Sequence, residues 1–383
     1  MNIVFVSEIC GWLGGVEQSI ADATRLRARG HACYLAYRHA GRDASGYATR
    51  FDDTAPFTGA QLRPLLTRWQ ADVVYVHKLD HASSLLSQRT AVPIVRYVHD
   101  HDLCCPRSHR YFARDGRICD RPAGLRCLLD GAFLKRSRGR FLPWRLVNVA
   151  GRLADLKAHG GFDRLIVASR YMRDLLVRNG LPHDRIARLP PAVDLGETFL
   201  SPPPGDRRVL YVGQLVHGKG VDLLLESLAM TRGEWFLDIV GMGHARSALE
   251  KQARRLGLTD RIVFHGWLTP TEQGRLYRAC DIAVVPSRWP EPFGMVGLQA
   301  MLWARPVVAF DVGGISDWLD HGRTGLCVPE QDVRGLAAAV DRLLSDKVQA
   351  SDMGRSARRR VQEQFSFARY LRDLEALLAT AAT

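Results

Sequence analysis

The sequence has 383 residues, of which 46% are hydrophobic and 24% charged, and its formal net charge is +13. This length suits two ordinary domains, and this composition is typical of a soluble globular protein. No run of 18 apolar residues occurs, which argues against a membrane-spanning helix. No helix-turn-helix, zinc-finger or aromatic strand motif accompanies the basic charge, so we expect no nucleic-acid partner.

The chain begins with an apolar segment, residues 2–7, that predicts a first strand and lacks the features of a signal peptide. We therefore expect a cytoplasmic protein. A loop ending in Gly14 and Gly15 follows, then a predicted helix to residue 29 and a strand over residues 32–37. Strand, glycine loop, helix and strand form a βαβ unit, and the two glycines let the backbone approach a ligand closely.

Further strands are predicted at residues 73–76, 94–98 and 162–168, and His99-Asp100 directly follows the second of them. A proline-rich segment at residues 201–205 then marks a linker. We place the domain boundary at about residue 200.

The second half repeats the pattern of apolar strand followed by a glycine-bearing loop. Strands are predicted at residues 208–213, 235–240 and 262–265. The glycines after them are Gly213, Gly241, Gly243 and Gly266. Lys219 lies at the start of a helix, beyond the carboxyl end of a strand. A cation there can pair with a diphosphate whose charge grows as a sugar bond breaks.

The segment from residue 284 to residue 310 reads as strand, turn, helix and strand. Glu291 lies in the turn, and Gln299 lies eight residues later in the helix. The backbone N–H groups around Gly294–Val296 open that helix, and a helix N-terminus favours an anion. A carboxylate, an amide and an anion site thus come together, as a nucleotide sugar requires.

The motif Glu291-Pro292-Phe293-Gly294 resembles that of glycosyltransferase family 4, the retaining transferases of the GT-B architecture. Gly14-Gly15-x-Glu17, His99-Asp100 and Lys219-Gly220 resemble other motifs of this family. The resemblance implies an α/β fold of two facing Rossmann-like domains, each with a doubly wound parallel sheet. The acceptor-side domain would span residues 1–200 and the nucleotide-sugar domain residues 201–366, with a C-terminal helix, residues 367–383, returning to the first domain.

The resemblance also implies roles for individual residues. His99, Glu291 and Lys219 would be catalytic. The donor-binding residues would be Gly14, Gly15, Gly213, Gln214, Lys219, Gly241, Gly243, Gly266, Glu291, Phe293, Gly294, Met295, Val296 and Gln299. The donor would be a UDP-, GDP- or ADP-linked sugar with no further cofactor required. The sugar would move to a glycan or to a lipid-linked acceptor in cell-envelope or exopolysaccharide synthesis.

Three positions depart from the family pattern. Gln299 stands where the family has a second glutamate, Gln214 stands where it has an arginine, and Asp317 stands where it usually has a glutamate. A neutral amide still hydrogen-bonds, but it brings neither charge nor a bidentate fork. The two glutamines, Gln214 and Gln299, open an alternative function, a nucleotide- or glycan-binding protein with little or no turnover.

Two groups of residues could hold a metal. Four thiolates could hold zinc. The candidates are Cys104, Cys105, Cys119 and Cys127. Their spacing is not that of a zinc finger, and a structural loop with reduced thiols is the alternative. Asp100-His101-Asp102 forms a D-x-D motif, as in metal-dependent glycosyltransferases of another architecture, but the parallel strands around it argue against that use. We therefore expect no metal.

The stretch from Lys135 to Arg145, KRSRGRFLPWR, places aromatic and apolar residues between cations. Such a stretch can lie on anionic lipid, which suggests a peripheral protein on the inner face of a membrane. The alternative is a solvated surface helix.

Overall fold

The chain forms two compact α/β units. The computed structural model describes residues 1–58, 61–88, 91–112, 116–136, 144–194 and 203–382. The first unit comprises Met1–Ser108, Arg121–Pro191 and Ala368–Thr383, and the second comprises His109–Asp120 and Ala192–Phe367.

The chain passes between the two units at more than one place. The chain enters the second unit at Ala192, and the predicted boundary near residue 200 lies outside the described residues. Residues 109–120, which we assigned to the first domain, belong to the second unit instead. They do so because Tyr111 and Gly116 contact loops of the second sheet, as described below.

The first unit contains a parallel sheet with the order β3-β2-β1-β4-β5-β8-β9 in the described part of the chain. A small antiparallel pair, β6 and β7, lies outside this sheet. The strands are β1 Asn2–Cys10, β2 Ala32–Ala40, β3 Asp53–Pro56, β4 Val73–Val76, β5 Ile94–Val98, β6 Leu134–Arg136, β7 Trp144–Leu146, β8 Arg164–Val167 and β9 Ile186–Arg188.

The central strands of this sheet are near-continuous apolar runs because both of their faces are buried, as parallel sheets require. The helices of the first unit are α1 Gly15–Ala23, α2 Ala44–Ala48, α3 Leu62–Arg68, α4 Arg126–Leu129, α5 Val149–Ala158 and α6 Arg170–Arg178. The helix that we predicted to run to residue 29 is α-helical only to Ala23 and continues as a 3-10 turn, Thr24–Arg29. Ser169 caps α6, its hydroxyl accepting the Met172 N–H.

The second unit contains a parallel sheet with the order β12-β11-β10-β13-β14-β15 among the described residues. The strands are β10 Arg208–Val212, β11 Phe236–Val240, β12 Ile262–Gly266, β13 Ile282–Val285, β14 Val307–Phe310 and β15 Gly325–Val328. The helices are α7 Val221–Met230, α8 Arg246–Arg255, α9 Pro270–Ala279, α10 Met295–Leu302, α11 Ile315–Trp318, α12 Val333–Ser345 and α13 Lys347–Gln364.

Both sheets have the strand order 3-2-1-4-5 that defines the Rossmann arrangement, with further strands at one edge. The direction of winding reverses between β1 and β4 in the first unit and between β10 and β13 in the second. The predicted fold class, two Rossmann-like parallel-sheet domains, is confirmed. In such sheets, ligands bind beyond the carboxyl ends of the strands at the point of reversal.

A last helix, α14 Phe367–Ala382, packs on the first unit through Tyr370, Leu374 and Leu378, which are all buried. Glu375 on this helix accepts hydrogen bonds from Arg29 and His31. No helix in the described ranges has both the length and the apolar character needed to cross a bilayer.

Candidate functional site

The carboxyl edge of the second sheet gathers the residues that we predicted to bind the donor. Gly213 and Lys219 follow β10, and the turn with Glu291 follows β13. These two strands are neighbours at the point where the winding reverses. The loops after β11 and β12, with Gly241 and Gly266, lie at the same edge.

Lys219 and Glu291 form an ion pair at this edge. Lys219 Nζ lies 2.6 Å from Glu291 Oε1, and the Glu291 residue is 4% exposed. Ser287 also donates a hydrogen bond to the same oxygen, and the ammonium lies 5.0 Å from the centre of the Trp289 ring. The structure thus places a carboxylate and a cation, predicted separately from two motifs, within direct contact.

Backbone packing fixes the two loops that carry this pair. Gly220 has a φ of +67°, and a Cβ there would overlap the Pro286 carbonyl oxygen, so only glycine fits between the loops. The Arg288 and Trp289 N–H groups donate to the Gly218 carbonyl at 2.9 and 3.1 Å. The position of Lys219 is therefore set by the neighbouring loop as well as by its own strand.

A buried arginine, missed by the sequence analysis, completes this arrangement. The Arg288 guanidinium donates to both carboxylate oxygens of Asp222, at 2.7 Å for the longer contact, and to the His217 carbonyl at 2.9 Å. It thereby joins the turn after β13 to the start of α7. Arg288 lies 66 or more positions from these partners in sequence, so no local motif indicated the contacts.

Helix α10 begins at Met295, directly after Gly294, which has a φ of 97°. The Phe293 ring is buried and lies 5.8 Å from the Phe365 ring, while its carbonyl accepts the Trp318 Nε1–H at 2.6 Å. The Phe293 side chain is therefore part of the core, and the backbone of Met295 and Val296 forms the anion-favouring start of the helix.

The two glutamines that replace charged family residues have local partners. Gln299 Oε1 lies 3.4 Å from the buried Tyr277 hydroxyl. At Gln214 the contact is with the main chain: the backbone carbonyl accepts the Tyr211 hydroxyl at 2.9 Å. Burial, reinforced by the negative charge of Glu291, raises the pKa of Tyr211, so this phenol stays a neutral donor.

The glycines after β10 and β11 have a structural cause that the sequence analysis did not identify. Gly241 has a φ of 136°, and a Cβ there would overlap the Gly213 carbonyl oxygen; a Cβ on Gly243 would overlap that of Leu215. The neighbouring loop therefore requires glycine at both positions, whether or not a ligand is bound.

In the first unit, His99 follows β5 and lies against a second histidine. His77 Nδ1 and His99 Nε2 are 2.9 Å apart, and the His99 ring stacks on Tyr97 with centres 4.4 Å apart. Burial, together with the positive charges of Lys78 and Arg96, lowers the pKa of His99 to about 3. His99 is therefore neutral at physiological pH.

Lys78 forms ion pairs with both Asp100 and Asp102. The single ammonium offsets one of the two carboxylate charges of the D-x-D motif. The remaining predicted residues of this unit, Gly14 and Gly15, lie after β1 at the start of α1, where the Gly14 N–H donates to Glu17 at 2.8 Å.

The four cysteines considered for zinc are not gathered into a site. Cys119 belongs to the second unit, whereas Cys104, Cys105 and Cys127 belong to the first. Across the described residues, no three histidine, cysteine, aspartate or glutamate side chains lie together as metal ligands would. The geometry gives the zinc alternative no support.

Comparison with protein-family models gives two adjacent matches. Residues 13–197 match Glycosyltransferase Family 4, and residues 199–360 match Glycosyl transferases group 1. Among curated relatives, the glycogen synthase of Mycobacterium tuberculosis is 35% identical over 50% of this chain and 45% of its own length. The D-inositol 3-phosphate glycosyltransferase of Pseudarthrobacter chlorophenolicus is 33% identical over 53% of this chain and 52% of its own. The chain spans about half the length of the curated relatives it matches.

Solved structures show the same fold over the whole chain. Anabaena HepE in complex with UDP superimposes with a TM-score of 0.77 at 20% identity, covering 99% of this chain and 100% of that one. Sucrose-phosphate synthase from Thermosynechococcus elongatus gives a TM-score of 0.71 at 20% identity, covering 99% and 98%. With two family models matched from residue 13 to residue 360 and two Rossmann-like units, the chain belongs to the family 4 type of GT-B glycosyltransferases.

Proposed function

We propose that this protein is a retaining glycosyltransferase that moves a sugar from a nucleotide-sugar donor to a glycan or lipid-linked acceptor. The observation that carries the proposal is the Lys219–Glu291 ion pair, 2.6 Å long, at the reversal point of the second sheet. A cation beside a buried carboxylate is the arrangement that a diphosphate-linked sugar needs at such an edge. The second unit would bind the donor and the first unit the acceptor.

Each residue has a distinct role in this proposal. Lys219 and the backbone N–H groups at the start of α10 stabilise the diphosphate as its negative charge grows. Glu291 holds sugar hydroxyls. Gln299 contacts the ribose, more weakly than a carboxylate would. His99, which burial keeps neutral, orients the transferred sugar.

The proposed reaction occurs on one face of the sugar. The bond between the anomeric carbon and the diphosphate oxygen breaks, and the acceptor oxygen bonds to the same carbon from the same side. The leaving phosphate oxygen takes the acceptor's proton. Retention of configuration then requires no protein nucleophile, and catalysis comes from electrostatic stabilisation of the leaving group.

The decisive experiment is a thermal-shift panel of UDP-, GDP- and ADP-linked sugars on the full chain. We expect one nucleotide class to raise the unfolding midpoint, because a ligand that binds only the folded state stabilises it. Lys219→Ala and Glu291→Ala should each lose most of that shift, whereas Lys251→Ala, an exposed lysine on α8, should keep it.

Because each single change leaves a charge of the ion pair without its partner, the double variant Lys219→Met/Glu291→Gln is the folding control. It should unfold at a temperature close to the wild type and still lose the ligand-induced shift. A panel that leaves the wild-type midpoint unchanged would contradict the proposal.

A second candidate function, nucleotide or glycan binding with little turnover, is favoured by Gln214 and Gln299 alone. It predicts that calorimetry detects binding of nucleoside diphosphates while donor hydrolysis and transfer stay absent on any acceptor. Restoring the family residues with Gln214→Arg and Gln299→Glu should then create turnover. Measurable transfer by the wild type excludes this candidate.

We also propose that the protein lies on the cytoplasmic face of an anionic membrane. Exposed leucines cluster around α4 and the β6–β7 pair: Leu125, Leu129 and Leu146 are 75%, 87% and 79% exposed. They flank the basic stretch from Lys135 to Arg145, whose side chains lie outside the described structure. Apolar side chains beside several cations match the chemistry of an anionic bilayer surface.

Co-sedimentation with liposomes tests this surface. We expect binding to phosphatidylglycerol-containing vesicles and none to neutral ones. Replacing Leu125 and Leu129 by serine, or Arg136, Arg138 and Arg140 by glutamate, should abolish it. Val348→Ser, which removes an equally exposed apolar residue from the second unit, should not. Unchanged binding in the arginine variant would refute the membrane proposal.

A further inference from the structure

A short hairpin from the first half of the chain packs on the loop that carries Lys219. Two backbone hydrogen bonds join its sides: the Cys119 N–H donates to the Arg110 carbonyl at 2.7 Å, and the Phe112 N–H donates to the Arg117 carbonyl at 2.9 Å. Tyr111 and Ile118 also form an isolated β-bridge. Residues 109–120 group with the second unit, although the sequence around them belongs to the first.

The Tyr111 side chain makes the central contact of this hairpin. Its ring lies 6.1 Å from the His217 ring, centre to centre. A Cβ placed on Gly218 would lie 3.3 Å from Tyr111 Cε1 and 3.5 Å from Trp289 Cε3. The rings of Tyr111 and Trp289 therefore both lie next to Gly218.

The next residue along the chain is Lys219, whose ammonium lies over the Trp289 ring at 5.0 Å. The hairpin also reaches the other loop, because a Cβ on Gly116 would lie 3.3 Å from Arg288 Cδ. The ring of Tyr111, the peptide of Gly218, the ring of Trp289 and the ammonium of Lys219 thus form one chain of neighbouring groups.

We propose that Tyr111 is a positioning residue for Lys219: its ring presses the 217–219 turn against Trp289 and so fixes where the ammonium meets the donor diphosphate. The inference rests on the proposed function, since it assigns Lys219 to the diphosphate. Tyr111 itself contacts no reacting atom in this scheme and acts through the turn.

The loops after β11 and β12, which we propose line the nucleoside, are held by other contacts. Gly241 N donates to the Gly266 carbonyl at 2.7 Å, and Leu215 N donates to the Met242 carbonyl at 2.9 Å. Loss of the Tyr111 ring should therefore disturb the diphosphate end of the site and spare the nucleoside end. This difference separates positioning from a general loss of stability.

The experiment compares calorimetric titrations of a nucleoside diphosphate and the matching monophosphate, with the base chosen by the thermal-shift panel. Tyr111→Ala should weaken diphosphate binding by about tenfold or more, equivalent to about 1.4 kcal/mol, and change monophosphate binding less than about twofold. Tyr111→Phe keeps the ring and should bind both as the wild type does. Phe112→Ala removes the neighbouring ring of the same hairpin and serves as the matched control.

Equal weakening of both ligands by Tyr111→Ala, or no weakening of either, would overturn the inference. Failure of Tyr111→Phe to restore diphosphate binding would also overturn it, because the hydroxyl would then be the active group. A wild type that binds neither ligand would instead refute the proposed function, so the two failures are distinguishable.

Discussion

The two histidines at the carboxyl edge of the first sheet have a defined protonation pattern. His77 Nδ1 and His99 Nε2 are 2.9 Å apart and share a hydrogen bond, so one of the two nitrogens must carry the proton. His77 is fully buried, and its Nε2 has no hydrogen-bond partner among the described residues. A buried N–H without an acceptor costs more than a spare lone pair, so His77 carries its proton on Nδ1. His99 then accepts at Nε2 and keeps its own proton on Nδ1.

The lowered pKa of His99 predicts how stability depends on pH. In the unfolded state His99 has its ordinary pKa of 6.5, whereas in the folded state its pKa is about 3. Between these values the unfolded state holds more protons, so the free energy of unfolding falls as the pH is lowered, by about 1.4 kcal/mol per unit. Urea unfolding at about pH 7.5 and about pH 5.5 should show this loss, and it should be smaller in His99→Asn. An equal loss in the variant would contradict the assignment.

Helix α10 owes its position to one tryptophan. Trp318 is fully buried and donates to the Phe293 carbonyl at 2.6 Å, immediately before the helix begins. A Cβ on Gly297 would overlap its six-membered ring. The indole therefore sets the position of the helix start whose N–H groups are proposed to meet the diphosphate.

Gly297→Ala should separate helix propensity from packing. Alanine favours a helix over glycine by about 1 kcal/mol, but overpacking against Trp318 costs about 1–3 kcal/mol. We expect net destabilisation in urea unfolding and weaker nucleoside diphosphate binding. Gly124→Ala, where a Cβ would have open space, should change neither. A Gly297→Ala protein more stable than the wild type would contradict this packing argument.

The elements that the sequence predicted well are those with local patterns. Apolar runs predicted β4, β5 and β13, and the residues after them predicted the loops at the carboxyl edge, including Lys219 and Glu291. Tyr111, Asp222 and Arg288 could not be predicted, because their partners lie far along the chain and no spacing rule connects them. For Gly241, the local pattern indicated the backbone freedom but not the crowding by Gly213, since backbone crowding between loops is not visible in one segment.

At the scale of the whole molecule, the first unit is completed by the last helix. Leu374 and Leu378 are fully buried, and Tyr370 is 5% exposed. Hydrogen bonds from His31 and Arg29 lower the pKa of Glu375 on the same helix. The apolar contacts carry most of the stabilisation, because a partly exposed ion pair contributes at most about 1 kcal/mol.

Leu374→Ala should therefore destabilise the first unit by about 2–5 kcal/mol through the cavity it leaves. Arg372→Ala on the exposed face of α14 should have little effect, since its pair with Asp373 is open to solvent. Urea unfolding of both variants measures the difference, and the affinity for nucleoside diphosphates should stay unchanged. If Leu374→Ala unfolded at the wild-type urea concentration, α14 would not be part of the first unit's core.

The placement of residues 109–120 has a consequence for how such proteins can be recombined. The chain passes between the units after residues 108, 120, 191 and 367, so no single cut separates them. A chimera that takes its first 191 residues from a relative imports a foreign hairpin onto the 217–219 turn. Such exchanges should yield working proteins only where the side chain at position 111 fits against the residue at position 218. The identities of these two residues would then decide which parents can be combined in gene shuffling within the family.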